Sequence, residues 1–377
     1  MQEQTNISLP STSVFIPDFS KLTVTQIKEY SKANNLKVPS GLKKDDLVKW
    51  IQGVYSERLS GIIKKDQPET FPIEAIQPKY QDSKMDWLPH LYQYGWAVAP
   101  IPGWNPNFIN MFLSFLESCC SNFKKEDAST WKPENLPILS RGILKHYMGH
   151  IEMQWQIREL CATLFARMWA CNPEDLLSSF DGGCFLMGDL NIKTDTKNWI
   201  HVDTPRNQYG IYNFSCVQGI VNFLDNGPND GGLVLVEGSQ HILKEYMDKH
   251  LSEGIIWQIA DMNDPLLSTK QMIKICAKAG EMIMFDSRIF HCNMPPIGNN
   301  LRICTYVSMQ LRVGAKEEEL IKRCKLYEQG RMTGHWCYGS FFKETSKDPN
   351  TYGKPNNKPS VIEIAPLNPL RKKLIGY

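Results

Sequence analysis

The spacing of apolar residues changes along the chain from a helical period to short, strand-like runs. Residues 105–122 and 151–169 carry apolar side chains at helical spacing, so each segment predicts an amphipathic helix. Ahead of them, the segment from Trp87 to Pro100 predicts a short helix, a stop at Gly95 and a strand. Beyond about residue 180 the apolar runs are short and separated by turn residues. This pattern predicts a mainly β core supported by helices.

The second half of the chain contains a predicted hairpin with polar residues at defined places. Residues 281–291 predict a strand that ends in His291, residues 293–300 are rich in turn formers, and residues 301–310 predict the returning strand. The hairpin would place Arg302 near His291, where a guanidinium can bind a carboxylate of a diacid. Tyr306 and Ser308 share a face with Arg302 because side chains alternate along a strand.

A metal site is predicted where His201-Val202-Asp203 begins a polar segment. In an extended strand His201 and Asp203 point to the same side, so both can reach one ion. Two imidazoles and one carboxylate suit ferrous iron and leave positions open for a co-substrate and O2. A third ligand can come from a distant strand. His146 and His150 stand four residues apart, and we predict structural or channel roles for them.

Several motifs between residues 179 and 302 resemble one enzyme family. They are Ser179–Gly182, Trp199–Asp203, Gln218–Phe223, Gly231–His241, and the pair His291 and Arg302, which are eleven residues apart. On these motifs, residues 85–377 resemble the phytanoyl-CoA dioxygenase-like family of Fe(II)/2-oxoglutarate oxygenases.

The resemblance implies a fold and a set of cofactors. The fold would be mainly β with helical support, with a double-stranded β-helix core of the jelly-roll or cupin-like type. His201, Asp203 and His291 would bind Fe(II), and Arg302 would bind the distal carboxylate of 2-oxoglutarate, with O2 as the oxidant. Gln218, Tyr306 and Ser308 are candidates for hydrogen bonds to 2-oxoglutarate, although Gln218 is equally interpretable as a core glutamine.

The predicted activity is hydroxylation or oxidative demethylation of an unidentified substrate. Halogenases of this kind have a small residue where this chain has Asp203, so the carboxylate argues against halogenation. Arg206, in the following loop, would either meet an anionic substrate or remain solvated. Arg158 is predicted to pair with Asp181 in the core. Two alternatives remain: a catalytically silent binding protein with the same fold, and a cupin-type enzyme that uses another metal.

The first 84 residues follow a different pattern. Residues 1–18 are polar and predicted to be disordered, residues 19–55 predict two short helices around a turn, and residues 56–84 predict a linker. Thr25 is the predicted N-cap of the first helix. Residues 19–55 resemble a SAP domain, a module associated with DNA and sometimes RNA, in Leu22–Val24, Leu36, Gly41–Lys44 and Leu47–Val48.

Local charge supports nucleic-acid binding by residues 19–55. Between Lys21 and Val54 there are seven lysines and three acidic residues, an excess of four positive charges. Lysines near the turn and helices can contact phosphates without reading bases. The candidates are Lys28, Lys32, Lys43 and Lys44. The substrate could then be a small molecule or something associated with nucleic acid. The alternative for the module is docking to another protein.

The overall composition restricts the partners and the cellular compartment that we expect for this protein. The formal net charge of +2 predicts no bulk attraction to nucleic acid or to membranes. No apolar run approaches the roughly 18 residues of a membrane span, and the start shows no basic end followed by an apolar core. We therefore expect an intracellular protein, cytoplasmic or nuclear, that is not secreted. The 11 cysteines predict free thiols in a reducing compartment.

Overall fold

The computed structural model describes residues 23–33, 38–52, 76–140, 142–188, 199–203, 214–250, 258–351 and 353–377. The chain divides into two compact units, Met1–Gln67 and Pro68–Tyr377. The predicted disordered segment 1–18 lies outside the described residues, and so do residues 53–55 of the predicted module 19–55 and residues 56–75 of the predicted linker 56–84. Arg206 is also outside them.

The first unit contains two helices, α1 (Val24–Ala33) and α2 (residues 44–52). Ile27, Leu47 and Ile51 form its core and are fully buried. The first helix is capped by Thr23, whose hydroxyl accepts from Gln26 N at 3.2 Å while Gln26 Oε1 accepts from Thr23 N at 2.9 Å. This reciprocal capping box replaces the predicted cap at Thr25, because only Thr23 has glutamine three residues later.

The second unit is built on two β-sheets. Its strands are β1 (Gln77–Tyr80), β2 (Trp96–Pro100), β3 (Leu139–Ser140), β4 (Ile143–Leu144), β5 (Leu176–Ser178), β6 (Gly183–Leu186), β7 (His201–Val202), β8 (Val217–Asn222), β9 (Gly232–Val236), β10 (Gln258–Ile259), β11 (Met272–Cys276), β12 (Glu281–Asp286), β13 (His291–Met294) and β14 (Arg302–Leu311). One sheet has the order β1-β11-β9-β13-β7-β10. The other has the order β2-β12-β8-β14-β6-β4-β3, with β5 paired to β14.

The central strands of the two sheets alternate along the chain. β6, β8, β12 and β14 lie in the larger sheet, whereas β7, β9, β11 and β13 lie in the smaller one. Apolar side chains from both sheets, including Ile220, Leu235, Ile275 and Phe285, meet in a shared core. This two-sheet sandwich with added helices is consistent with the predicted jelly-roll or cupin-like core.

Helices cover the outer faces of both sheets. They are α3 (Trp87–Tyr94), α4 (Phe108–Cys119), α5 (Glu152–Trp169), α6 (Leu243–His250), α7 (Pro265–Ser268), α8 (Glu317–Glu328) and α9 (Pro369–Ile375). Phe112 of α4 and Phe165 of α5 pack with Val221 and Met284 of the larger sheet. Tyr246 of α6 packs with Val202 and Val234 of the smaller sheet. The predicted helices are therefore confirmed as the support of the β core.

Two features of this unit bear on the sequence predictions. β1 lies within the predicted linker 56–84 but pairs in parallel with β11, so Gln77–Tyr80 belongs to a sheet and not to a tether. None of the 11 cysteines, all of which lie in the described ranges, forms a disulfide. Among the described residues, no helix is both long enough and apolar enough to cross a bilayer.

Candidate metal centre

Three predicted ligands converge at the ends of two neighbouring strands. β7 and β13 pair antiparallel with His201 directly opposite His291. Val202 packs outward against the helix-covered face, so the alternation of the strand turns His201 inward. His201 Nε2 lies 3.4 Å from Asp203 Oδ1, and His291 Nε2 lies 3.2 Å from Asp203 Oδ2. One ligand atom from each residue lies within 4.8 Å of the others, as a shared metal ion requires.

Both imidazoles are held with Nε2 available as an electron-pair donor. His201 Nδ1 lies 2.9 Å from Trp199 O, and His291 Nδ1 lies 2.9 Å from Ile289 O. A carbonyl only accepts, so each Nδ1 carries the proton and each Nε2 presents the lone pair that a metal binds. At both ligands, Nδ1 therefore donates to the backbone carbonyl of the residue two positions earlier in the chain.

The protonation states also suit metal binding. Burial lowers the pKa of His201, which is partly opposed by Asp203. Burial alone would raise the pKa of Asp203, but the imidazoles of His335 and His201 bring that pKa well below its usual range. At neutral pH the site therefore presents the carboxylate of Asp203 and the neutral imidazole of His201, the forms that bind divalent metals. The residues fit the predicted iron.

Gln218 contacts the carboxylate ligand. Its Nε2 donates to Asp203 Oδ2 at 2.9 Å and lies 3.4 Å from Ser287 Oγ. Sequence reasoning left it as either a 2-oxoglutarate contact or a core glutamine. The observed contact is a third arrangement, in which the amide orients Asp203.

Arg302 is a buried cation without an acidic partner among the described residues. It is 3% exposed. Its Nη1 donates to Asn293 Oδ1 at 3.0 Å and to Cys184 Sγ at 3.3 Å, while its Nε has no hydrogen-bond partner. A buried guanidinium that lacks an acidic partner is stabilised when an anion binds to it. The arrangement therefore suits the carboxylate of a bound diacid.

The two other predicted 2-oxoglutarate contacts separate along β14. Tyr306 lies four residues from Arg302 on the same face of β14 and is half-buried. Ser308 lies six residues from Arg302, about 20 Å along a strand, and pairs with Gln218. Ser308 and Arg302 therefore cannot bind the same carboxylate.

The structure adds one histidine that the sequence did not single out. His335 Nε2 lies 3.7 Å from Asp203 Oδ2. Its only sequence clue was the scarcity of histidine, since the chain has 8 in all. Two other histidines have backbone contacts instead: His150, which was predicted to have a structural or channel role, has its Nε2 2.8 Å from Arg331 O, and His241 has its Nε2 3.2 Å from Gln93 O.

Arg158 ties helix α5 to the backbone near the site. Its Nη1 donates to Gly149 O at 2.5 Å and its Nη2 donates to Asp181 O at 3.1 Å. The predicted contact with Asp181 is therefore made to the main-chain carbonyl. The Asp181 carboxylate instead accepts from Gly182 N at 2.8 Å.

Comparisons with known proteins give one curated relative and several distant structures. No family model matches the chain. The "Ava biosynthesis cluster protein O" of Aspergillus versicolor is 27% identical over 256 residues, which are 62% of this chain and 80% of that protein.

The similar solved structures include SnoN and SnoK, both described as alpha ketoglutarate dependent enzymes from nogalamycin biosynthesis, and AviO1. The epimerase SnoN from nogalamycin biosynthesis, in complex with Fe3+, alpha ketoglutarate and nogalamycin RO, has a TM-score of 0.41 at 11% identity and covers 60% of this chain and 82% of its own. The carbocyclase SnoK has a TM-score of 0.39 at 12% identity, covering 61% and 85%. AviO1 from Streptomyces viridochromogenes Tue57 has a TM-score of 0.38 at 14% identity, covering 61% and 96%. At such distances, function must be argued from the site of this chain itself.

Proposed function

We propose that this protein is an Fe(II)- and 2-oxoglutarate-dependent oxygenase that hydroxylates or oxidatively demethylates its substrate. The proposal rests mainly on one observation: His201, Asp203 and His291 converge at one point. The buried, unneutralised charge of Arg302 supports the same proposal, because a metal site alone would not need it.

Each of these side chains has a separate task. His201, Asp203 and His291 would hold the metal and leave its remaining positions open. Arg302 would bind the far carboxylate of 2-oxoglutarate and fix its orientation. The chemistry supplied by bound iron and 2-oxoglutarate is oxidation of a substrate C–H bond by O2, with release of succinate and CO2.

The carboxylate of Asp203 limits the reaction type. A third protein ligand occupies the position that a halide would need, so oxygen insertion is favoured over halogenation. Gln218 supports this role because its amide holds Asp203 Oδ2. Insertion of one oxygen atom of O2 into a substrate C–H bond gives an alcohol, while the second oxygen atom enters succinate. The same insertion on an N-methyl or O-methyl group gives a hydroxymethyl product that releases formaldehyde, which completes demethylation.

The substrate class we favour is a small molecule. The curated relative is named for a biosynthesis cluster, and its match covers most of its own length. This support comes from a name and not from a feature of the site. A nucleic-acid-associated substrate is the other possibility that the first unit raises.

We also propose that the first unit binds DNA or RNA. Lys28, Lys32, Lys43 and Lys44 are all exposed around its small apolar core. Exposed ammonium groups can contact phosphates without specific base recognition. Such binding would place the protein near nucleic acid without defining what the oxygenase unit oxidises.

Succinate release tests the enzymatic proposal. The full chain is supplied with Fe(II), 2-oxoglutarate and O2, and we expect slow succinate formation even without the primary substrate. The substitution Asp203→Ala should reduce it by more than the 10- to 100-fold typical of residues that only support a metal ligand. Asp248→Ala, which removes an exposed carboxylate paired with Lys244, should leave the rate unchanged.

Two results would contradict the proposal. Equal succinate release by the wild type and Asp203→Ala would show that the predicted site does not carry the reaction. Iron binding without any consumption of 2-oxoglutarate would instead favour a silent binding protein or another metal enzyme.

A further inference from the structure

His335 approaches the predicted metal site from outside the strands that form it. It follows helix α8 in the chain, and its Nε2 lies 3.7 Å from Asp203 Oδ2. This nitrogen is buried and has no hydrogen-bond partner within the described part of the chain. A buried imidazole nitrogen without a partner is uncommon, and here the nearest ion-pair partner is the carboxylate ligand.

The backbone around His335 is fixed on both sides. Two residues before it, Thr333 N donates to Phe180 O at 3.1 Å, and Phe180 N donates to Thr333 Oγ1 at 3.1 Å. Two residues after it, Cys337 N donates to Gln310 Oε1 at 2.8 Å and Cys337 O accepts from Arg323 Nη1 at 2.9 Å. The position of His335 is therefore imposed by the fold.

The two oxygens of Asp203 have different surroundings. Oδ2 accepts from Gln218 Nε2 at 2.9 Å and lies 3.2 Å from His291 Nε2 and 3.7 Å from His335 Nε2, whereas Oδ1 lies 3.4 Å from His201 Nε2. A carboxylate oxygen can accept two hydrogen bonds. If both Gln218 and His335 donate to Oδ2, then Oδ1 remains for the metal.

We propose that His335 is a positioning residue that acts through Asp203. Its Nε2–H donates to Oδ2, so that Asp203 binds iron through one oxygen and leaves the other positions open for the co-substrate and O2. The present separation exceeds the roughly 2.7–3.2 Å of an N–H···O bond, and a small side-chain rotation closes it. This inference rests on the proposed iron site.

The test compares two substitutions of similar length. His335→Gln keeps an N–H donor near the place of Nε2, and His335→Leu removes it. We expect His335→Leu to bind Fe(II) and Co(II) about 10- to 100-fold more weakly than the wild type, as is typical when the partner of a metal ligand is lost. His335→Gln should remain within about threefold of wild type. His241→Leu, at an exposed histidine outside the site, is the matched control.

Metal binding is measured anaerobically on the full chain, and the visible spectrum of bound Co(II) reports the number of ligands. The inference is supported if His335→Leu weakens binding, His335→Gln restores it, and the Co(II) spectrum keeps the same ligand number in all variants. It is overturned if His335→Leu binds as tightly as wild type, or if His335→Gln is as weak as His335→Leu.

A Co(II) spectrum that shows one ligand fewer in His335→Leu would also overturn the inference, because His335 would then be a ligand itself. Circular dichroism and thermal unfolding identify a variant that fails to fold. If His335→Leu does not fold, His335→Gln alone tests the proposal, because weak metal binding by a folded His335→Gln variant contradicts it. Absence of metal binding by the wild type would instead reject the proposed function.

Discussion

The side-chain amide of Gln218 donates a 2.9 Å hydrogen bond to Asp203 Oδ2. The two residues come from different parts of the chain, since Gln218 lies on β8 of the larger sheet whereas Asp203 follows β7 of the smaller one. The bond therefore connects the two sheets at the predicted metal site. It fixes the orientation of the only carboxylate among the three predicted ligands.

Loss of this amide should weaken metal binding without removing a ligand. For Gln218→Leu we expect about 10- to 100-fold lower affinity for Fe(II), measured by anaerobic titration. Gln81→Leu is the control, because Gln81 bonds only the backbone of Val98 on β2. Unchanged affinity in Gln218→Leu would show that Asp203 does not depend on the bond.

Removal of the buried guanidinium should affect the co-substrate selectively. Arg302→Leu should raise the KM for 2-oxoglutarate by roughly 30-fold or more, since losing one partner of a buried charge pair costs about 2–5 kcal/mol. Iron affinity should change little, because Arg302 is not a predicted ligand. Steady-state kinetics at varied 2-oxoglutarate would measure the effect.

The Arg302 variant has a matched control and a second readout. Arg167→Leu removes a half-exposed arginine paired with Asp86 and should leave the KM unchanged. In the absence of any diacid, Arg302→Leu should be as stable as the wild type or more stable, because an unpaired buried charge is costly. A KM equal to that of the wild type would exclude Arg302 from co-substrate binding.

His150, which is not one of the predicted metal ligands, gives the fold an acid-sensitive contact. Burial, assisted by Arg158, lowers the pKa of His150 to about 3. The unfolded chain therefore binds the proton first, and the stabilisation present above a pH of about 6.5 is lost as the pH falls toward 3. His150→Gln keeps a donor for Arg331 O but cannot be protonated.

The comparison of wild type with His150→Gln isolates this effect. Between pH 6.5 and pH 5 the free energy of unfolding of the wild type should fall by up to about 2 kcal/mol relative to the variant. Denaturant unfolding at several pH values measures the difference. Parallel curves for the two proteins would show that His150 does not remain neutral in the folded state.

The lysines of the first unit should determine retention on nucleic acid. In the full chain, replacing Lys28, Lys32, Lys43 and Lys44 by alanine should weaken binding to DNA or RNA at low salt. The slope of log affinity against log salt should decrease by about one for each lysine that contacts a phosphate. A set of four exposed lysines in the second unit, Lys278, Lys347, Lys372 and Lys373, serves as the control.

Wild-type retention of the variant that lacks the first-unit lysines, with weaker retention of the variant that lacks the second-unit lysines, would assign the binding to the second unit. Absence of retention by the wild type at low salt would remove the nucleic-acid proposal. Neither result bears on the iron site, because the two proposals concern separate units of the chain.

The sequence was sufficient to predict the parts of the site that follow from strand alternation. His201 and Asp203 are two residues apart, and the hairpin that ends in His291 was visible from its turn residues. Arg302 was predicted near His291 for the same reason, and its hydrogen bond to Asn293, two residues after His291 on β13, agrees with that prediction. These features depend on local spacing, which a single sequence contains.

Contacts between strands that are distant in sequence could not be predicted from local spacing. The partner of Gln218 depends on how β8 faces β7, and His335 reaches the site only because the segment after α8 folds back onto it. For Ser308, alternation gave the correct interior face of β14 but did not account for the distance from Arg302. A shared face does not imply a shared ligand.

Strand β1 is a second feature that the local sequence pattern did not predict. Its sequence, Gln-Pro-Lys-Tyr, is polar and contains Pro78, which argues against a central strand. The strand nevertheless forms at the edge of the smaller sheet, where a proline can be accommodated. Its pairing with β11 supplies the stability that its own composition lacks.

The pairing of His201 with His291 across β7 and β13 has a thermodynamic consequence. An ion bound by both residues would join segments 90 positions apart to one another, in a sandwich where β7 is only two residues long. Ligands that bind only the native state raise the melting temperature in proportion to the logarithm of their free concentration. Chelation would then lower the thermal stability of the second unit, so iron supply would govern the lifetime of the protein as well as its turnover.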